Sequence, residues 1–188
     1  GIVIFSHGSG SSRLSPRNRQ VAEFIQKQGM GTFLFDLLTE EEDVVYENRF
    51  NIDLLVSRLI EVTEWLMENK NVQGLPIGYF GASTGAASAF RAAAYFGDNI
   101  AALVSRGGRP DLALSTLHLV TAPTLLIVGQ LDVPIILMNK QAYDELESIK
   151  EMKIIPGAKH LFEEPGKLNE VAELAIEWYK KYFVKEEH

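Results

Sequence analysis

The stretch Gly81-Ala82-Ser83-Thr84-Gly85 constrains the fold more than any other part of this chain. An apolar run, 76–80, precedes it, and an alanine-rich segment continues to Ala94. This order predicts a strand, a sharp turn and a helix, with Ser83 at the turn. Such a turn holds a serine hydroxyl clear of the sheet, at a helix N-terminus that stabilises developing negative charge. The alternative is a glycine-rich turn that carries an ordinary serine.

Short apolar runs alternate with amphipathic segments along the whole sequence. Six runs have the length and composition of buried strands, at 1–5, 32–38, 76–80, 100–104, 123–128 and 152–155. The segments between them carry helical periodicity, clearest in 52–66. This alternation predicts one α/β domain over 1–188, with a mostly parallel sheet and helices on both faces. In such a sheet, ligands bind at the C-terminal ends of the strands.

Composition excludes several classes of protein. The 188 residues carry a net charge of −7, which argues against a general nucleic-acid binder. No apolar run approaches the about 20 residues that cross a bilayer, so we expect no membrane partner. Cysteine is absent, which excludes disulfides and thiolate metal sites and is compatible with the cytoplasm. We expect no metal and no cofactor. The sequence does not decide whether the chain forms a homodimer.

Two further residues follow predicted strands at the same end of the sheet as Ser83. Asp132 comes after the strand at 123–128, and His160 comes after the strand at 152–155. A serine nucleophile needs a base, and the base needs an orienting carboxylate, so the order Ser83, Asp132, His160 predicts a catalytic triad. Each residue has an alternative interpretation when it is considered alone. His160 would then be a structural histidine of a loop, and Asp132 would be a turn or N-cap residue. Asp111 is the second candidate for the acid.

An oxyanion needs backbone N–H donors close to the nucleophile. We predict that Thr84, directly after the serine, supplies one and that Ser9 supplies the other. Ser9 lies in a loop of small residues, 6–12, that follows the first strand. This loop is neither a Walker loop nor a Gly-x-Gly-x-x-Gly turn.

Four arginines are candidates for binding an anionic part of a substrate, and they are Arg13, Arg17, Arg106 and Arg109. We expect His7, Arg106 and Arg109 to be the substrate-binding residues. The alternative is that the arginines pair with the acidic segment 40–47. That segment has no recognised metal-binding spacing, and we interpret it as a solvated run of charge in a loop.

These motifs together resemble the α/β-hydrolase superfamily and, within it, the dienelactone-hydrolase-like group. The resemblance rests on 7–10, 81–85, Asp132 and His160 and covers almost the whole chain. The segments 11–19 and 105–111 resemble a subgroup of small bacterial and archaeal hydrolases, some of them fused to phosphoribosyltransferase domains. Dienelactone hydrolases proper use a cysteine where this chain has Ser83, so lactone specificity is not carried over.

The family usually has one or two strands before the strand that ends in His-Gly. Here the first predicted strand begins at once and residue 1 is not methionine. Either the sequence is trimmed or it is a minimal version of the fold. A helical cap is not expected, because the 19 residues 105–123 between two strands are too few to form one.

The resemblance implies a serine hydrolase that cleaves small or short-chain carboxylic esters through an acyl-enzyme. An open site without a cap favours small esters, so we expect a small-molecule ester as the partner. Two alternatives remain at this point. The same triad serves an acyltransferase, and loop 6–12 with the arginines would suit a non-catalytic anion- or nucleotide-binding module.

Overall fold

A computed structural model describes residues 1–184 of the chain, and the C-terminal His188 lies outside this range. The sheet has six strands, all parallel, in the order β2-β1-β3-β4-β5-β6. The strands are β1 (Ile2–Ser6), β2 (Gly31–Leu34), β3 (Ile77–Ala82), β4 (Ile100–Arg106), β5 (Thr124–Gly129) and β6 (Lys150–Ile155). Each of the six predicted apolar runs therefore overlaps a strand.

Helices connect the strands, as βαβ units require. They are α1 (Pro16–Gln26), α2 (Glu40–Val44), α3 (Ile52–Glu68), α4 (Thr84–Phe96), α5 (Val133–Glu145) and α6 (Lys167–Tyr182). Ser15 caps α1 by accepting from the Asn18 N–H, and Asn51 caps α3 by accepting from the Leu54 N–H. Both caps follow from the preference of short polar side chains for this position.

Two segments differ from the sequence-based expectation. The acidic segment, expected as a loop, includes the short helix α2, which begins with a reciprocal cap between Thr39 and Glu42. The segment after β4, for which the sequence predicts a helix of uncertain length over 112–117, is a 3₁₀ helix over Pro110–Leu119. Residues 107–123 are filled by this turn and its flanks, so no helical cap is inserted between β4 and β5.

Alternate side chains of the central strands point to opposite faces and bury against different helices. Ile4, Tyr79 and Leu103 pack on the face covered by α3, α4 and α5. Phe5, Phe80 and their neighbours pack on the face covered by α1 and α6. Burial on both faces explains why these strands are continuous apolar runs rather than alternating ones.

Because all strands are parallel, their C-terminal ends lie at one edge of the sheet. The loops after β1, β3, β4, β5 and β6 meet there. No helix in residues 1–184 combines the length and the apolar character of a membrane span.

Candidate active site

Ser83 lies at a sharp turn between β3, which ends at Ala82, and α4, which begins at Thr84. Its backbone has φ 51° and ψ −123°, a conformation that L-residues rarely adopt. Two hydrogen bonds hold it there: the Ser83 N–H donates to the Arg106 carbonyl oxygen at 3.3 Å, and the Arg109 N–H donates to the Ser83 carbonyl oxygen at 3.0 Å. Strain maintained in this way is typical of functional sites.

Two glycines make the turn sterically feasible. A Cβ on Gly81 would lie 2.5 Å from Ala86 Cα, and a Cβ on Gly85 would overlap the Ser6 carbonyl oxygen of β1. Neither obstacle is a side chain that can rotate away. The motif therefore needs glycine at both positions so that α4 can pack closely on β1 and β3.

Asp132 and His160 come together at the C-terminal edge of the sheet. Asp132 lies between β5 and α5, and His160 lies in the loop after β6. His160 Nδ1 is 2.6 Å from Asp132 Oδ2. When the imidazole is neutral, this pairing places its proton on Nδ1 and leaves Nε2 as an acceptor.

The imidazole lies beside the backbone that holds Ser83. A Cβ on Gly107 would lie 3.4 Å from His160 Nδ1, and Gly107 directly follows Arg106, whose carbonyl accepts from the Ser83 N–H. In the described chain no hydrogen bond joins Ser83 Oγ to His160. Hydrogen bonds between catalytic groups are often long without substrate and shorten when substrate binds.

The two predicted oxyanion donors contact each other. The Ser9 N–H donates to Thr84 Oγ1 at 2.8 Å, so this N–H is occupied rather than free. The Thr84 N–H is the first of α4 and, within residues 1–184, has no acceptor. An oxyanion that uses the Ser9 N–H must therefore displace the Thr84 hydroxyl from it. The sequence did not indicate this contact, since it depends on how closely the two loops approach.

His7, expected to bind substrate, has a different environment. Its Nδ1 lies 2.8 Å from the Gly8 carbonyl oxygen, and its Nε2 accepts from the Leu37 N–H at 3.0 Å. Only 8% of the residue is exposed, and burial lowers its pKa. With both ring nitrogens bonded to backbone, His7 joins the loop after β1 to the segment after β2 and offers no polar atom to a ligand.

Arg106, also expected to bind substrate, is buried instead of lining the site. Its Nη2 donates to Asn18 Oδ1 at 3.3 Å, while its Nε and Nη1 have no partner among the described residues. Burial, with a smaller contribution from the charge of Arg17, lowers its pKa to about 10. The residue follows the alternation of β4 onto the face covered by α1, which explains why it is not at the mouth of the site.

Arg109 forms a bidentate ion pair with Asp111, at 2.9 Å from Nε and 2.8 Å from Nη2. This hydrogen bonding raises the pKa of Arg109. Asp111, the second candidate for the triad acid, is therefore held by an arginine, whereas Asp132 is held by His160.

The alternative expectation, that the four arginines pair with the acidic segment 40–47, is wrong. Arg13 pairs with Asp36, and Arg17 pairs with Glu163 of the loop that carries His160. None of the four candidate arginines bonds to 40–47 in the described chain. The acidic segment is paired by arginines farther along the sequence, Arg49 with Asp43 and Arg58 with Glu42.

A pocket of about 270 Å³ adjoins the loop that carries Ser9. It lies between 7–14 and 36–40, and Asp43, Arg49 and Leu55 complete its lining. Gly8 connects this pocket to the turn that carries Ser83, because a Cβ on Gly8 would lie 3.3 Å from Ser83 Cβ. Sequence reasoning did not single out Arg49, which has no motif around it.

No protein-family model matches the chain. A solved structure, dienelactone hydrolase from Anabaena variabilis, is 55% identical, with a TM-score of 0.95 over 98% of this chain and 87% of that one. The chain belongs to the dienelactone-hydrolase-like group of α/β-hydrolases. This dienelactone-hydrolase-like chain also shares its fold with Est1E from Butyrivibrio proteoclasticus, at 16% identity and a TM-score of 0.83 over 98% of this chain and 88% of that one.

Two curated relatives of this dienelactone-hydrolase-like chain come from Mycobacterium tuberculosis. They are named "Putative phosphoribosyl transferase MT0597" and "Putative phosphoribosyl transferase Rv0571c". Each is 54% identical over 179 residues, which cover 95% of this chain. The chain spans 40% of the length of these relatives, so their name describes a much longer protein.

Proposed function

We propose that this chain is a serine hydrolase that cleaves small carboxylic esters through an acyl-enzyme on Ser83. The observation that carries the proposal is the 2.6 Å contact between His160 Nδ1 and Asp132 Oδ2, beside a serine in a strained turn. Similarity to a solved dienelactone hydrolase at 55% identity supports hydrolytic activity. The short segment between β4 and β5 supports an open site and small substrates.

In the proposed mechanism, His160 Nε2 removes the proton from Ser83 Oγ as that oxygen attacks the ester carbonyl. The oxyanion that forms accepts from the Thr84 N–H and, after displacing the Thr84 hydroxyl, from the Ser9 N–H. His160 then protonates the leaving alcohol. Water, activated by the same imidazole, releases the acid and restores Ser83. Asp132 holds the imidazole in the required tautomer throughout.

The nucleophile is tested with a fluorophosphonate probe, which labels activated serines without knowledge of the substrate. We expect labelling of the parent protein and none of Ser83→Ala. Ser115→Ala is the matched control, because Ser115 is an exposed serine in the 3₁₀ turn after β4, and it should label like the parent. Folded parent protein that does not label would contradict the proposal and favour a non-catalytic binding module.

Hydrolysis and acyl transfer use the same first step and differ in the acceptor. Product analysis with added alcohols separates them: free acid alone indicates hydrolysis, and a new ester indicates transfer. We propose that the phosphoribosyl transferase name of the Mycobacterium tuberculosis relatives refers to sequence outside the matched 179 residues. The matched part of this chain carries the serine turn.

A further inference from the structure

The last strand, β6, leaves one edge of the sheet open. It is the end member of the strand order and, within residues 1–184, pairs only with β5. At one end of that pairing the Thr124 N–H donates to the Ile149 carbonyl oxygen, and at the other the Gln130 N–H donates to the Ile155 carbonyl oxygen. Because the backbone groups of a strand face its two sides alternately, the odd-numbered residues of β6 bond to β5 and the even-numbered ones face away from it.

Three residues of β6 turn their backbone N–H and C=O groups to the open edge, and they are Lys150, Met152 and Ile154. These groups have no hydrogen-bond partner in the part of the chain that the structure describes. The Lys150 side chain does not cover the edge, because its Nζ donates to the Tyr143 and Leu146 carbonyl oxygens at the end of α5. A row of unpaired backbone groups of this kind is a template for pairing with a further strand.

The charged side chains of β6 form a pattern that selects the partner. Glu151 and Lys153 lie on the same face of the strand, with 3.4 Å between Glu151 Oε2 and Lys153 Nζ, and both side chains are exposed. Charges on an edge strand usually discourage pairing, since a like charge directly opposite is destabilising. Here the two charges have opposite signs and are two residues apart, so an antiparallel copy of β6 can present the complementary charge to each of them.

Most registers of such an antiparallel pair are unfavourable. A pair centred on Glu151 or on Lys153 sets two like charges directly opposite each other. Centring on Lys150 does the same with the lysine that is bound to α5. Centring on Ile154 brings Pro156, which has no N–H, into the new ladder.

We propose that β6 is the interface of a homodimer, in which the β6 strands of two copies pair antiparallel about Met152. Met152 then faces its own copy and Lys150 faces Ile154, so that the outward backbone groups exchange N–H···O bonds in both directions. Glu151 of each copy lies opposite Lys153 of the other, at the positions where side chains of an antiparallel pair approach most closely. The exposed apolar surface of Ile154 is covered at the same time. One continuous sheet spans both copies, and the inference is independent of the proposed ester chemistry.

Sedimentation velocity over a range of micromolar concentrations measures the association, and the parent should form a concentration-dependent dimer. Glu151→Lys should weaken the dimer about 10-fold or more, because in a symmetric pair the change acts twice and replaces attraction by repulsion. Lys153→Glu should weaken it to a similar extent for the same reason. The matched control is Glu61→Lys, which makes the same charge change on α3, a helix that packs at the opposite edge of the sheet through the ring contact of Trp65 with Phe33. It should dimerise like the parent.

The two weakened variants test the register, because each repels its own copy and complements the other. An equimolar mixture of Glu151→Lys and Lys153→Glu should form a heterodimer. A chain that carries both changes should dimerise again, since the signs are only exchanged. Circular dichroism verifies that each variant is folded.

Met152→Pro tests the backbone pairing directly. Proline removes an N–H that the dimer uses and that the pairing with β5 does not, so dimerisation should be lost while the fold persists. Dimers that persist unchanged in both charge reversals and in Met152→Pro would contradict the assignment to β6, and a mixture that fails to associate would contradict the register. A parent that stays monomeric at every concentration would overturn the inference and leave the edge of β6 to a strand of a different protein.

Discussion

The sequence offers both Asp132 and Asp111 as candidates for the acid of the triad. In the structure the two carboxylates have different partners. Asp132 contacts the Nδ1 side of His160, whereas Asp111 is held in two hydrogen bonds by Arg109. Among the described residues Asp111 has no hydrogen bond to His160, so Asp132 is the stronger candidate for the acid.

Replacing Asp132 by asparagine should lower kcat by up to about 10⁴-fold, because an amide can hold the imidazole in the wrong tautomer. The fold should persist, since the two side chains have nearly the same shape. Steady-state kinetics on any ester that the parent cleaves measure this. Asp111→Asn is the comparison, and a loss equal to that of Asp132→Asn would reassign the acid.

His7 should make stability depend on pH. Burial lowers its pKa below the ordinary value of 6.5, so the folded protein disfavours the proton that the unfolded chain accepts. The stabilisation is complete above pH 6.5 and is lost as the pH falls from 6.5 to the lower pKa of the folded state. Urea unfolding across this interval should give a declining free energy of unfolding.

The control for that experiment is His7→Gln, which has no titrating ring. It should be less stable at pH 7.5, because it cannot satisfy both Gly8 and Leu37, but its stability should fall less steeply toward acid. Equal slopes for the two proteins would assign the pH dependence to other groups.

At the scale of elements, the packing of α4 on β1 depends on Gly85. A methyl group there would overlap the Ser6 carbonyl oxygen, which is backbone in the middle of the sheet. Gly85→Ala should therefore lower the free energy of unfolding by about 3 kcal/mol or more. Denaturant unfolding monitored by circular dichroism measures the loss.

Gly29→Ala is the control that separates the effect of steric overlap with neighbouring atoms from the effect of backbone strain. Gly29 has φ 78° and open space where a Cβ would lie, so alanine there meets only the left-handed penalty of about 1 kcal/mol. A loss for Gly85→Ala no larger than that for Gly29→Ala would mean that α4 shifts to accommodate the methyl group.

The elements that sequence predicted well are those with local causes. Burial on both faces makes β1, β3 and β5 continuous apolar runs, and the glycines flanking Ser83 mark the turn directly. The 3₁₀ form of the helix after β4 was not predicted; this helix packs against α4 and α5, and contacts with distant elements leave no local pattern in the sequence.

Side-chain partners were predicted less well, since they depend on contacts between distant segments. Arg106 donates to Asn18, which is 88 residues away in the sequence, and no local pattern predicts that pairing. The carboxyl-end loops could be located from topology, which is why Asp132 and His160 were placed at one edge. Which arginine faces a pocket depends on loop paths that the sequence does not encode locally.

For the molecule as a whole, the strand order determines how far apart in sequence the paired strands lie. β1 lies between β2 and β3, and Ile2 stands opposite Ile77. Pairings so distant in sequence close a long loop before they gain any contact energy, and they fold slowly.

This order has a consequence for synthesis. The β1 segment leaves the ribosome before both of its partners; β2 follows soon afterwards, but β3 is translated on the order of ten seconds later at ordinary elongation rates. During that interval one edge of a strongly apolar strand, Ile2–Phe5, is unpaired. The nascent chain therefore presents an unpaired strand edge to wrong association until the segment that carries Ser83 has been made.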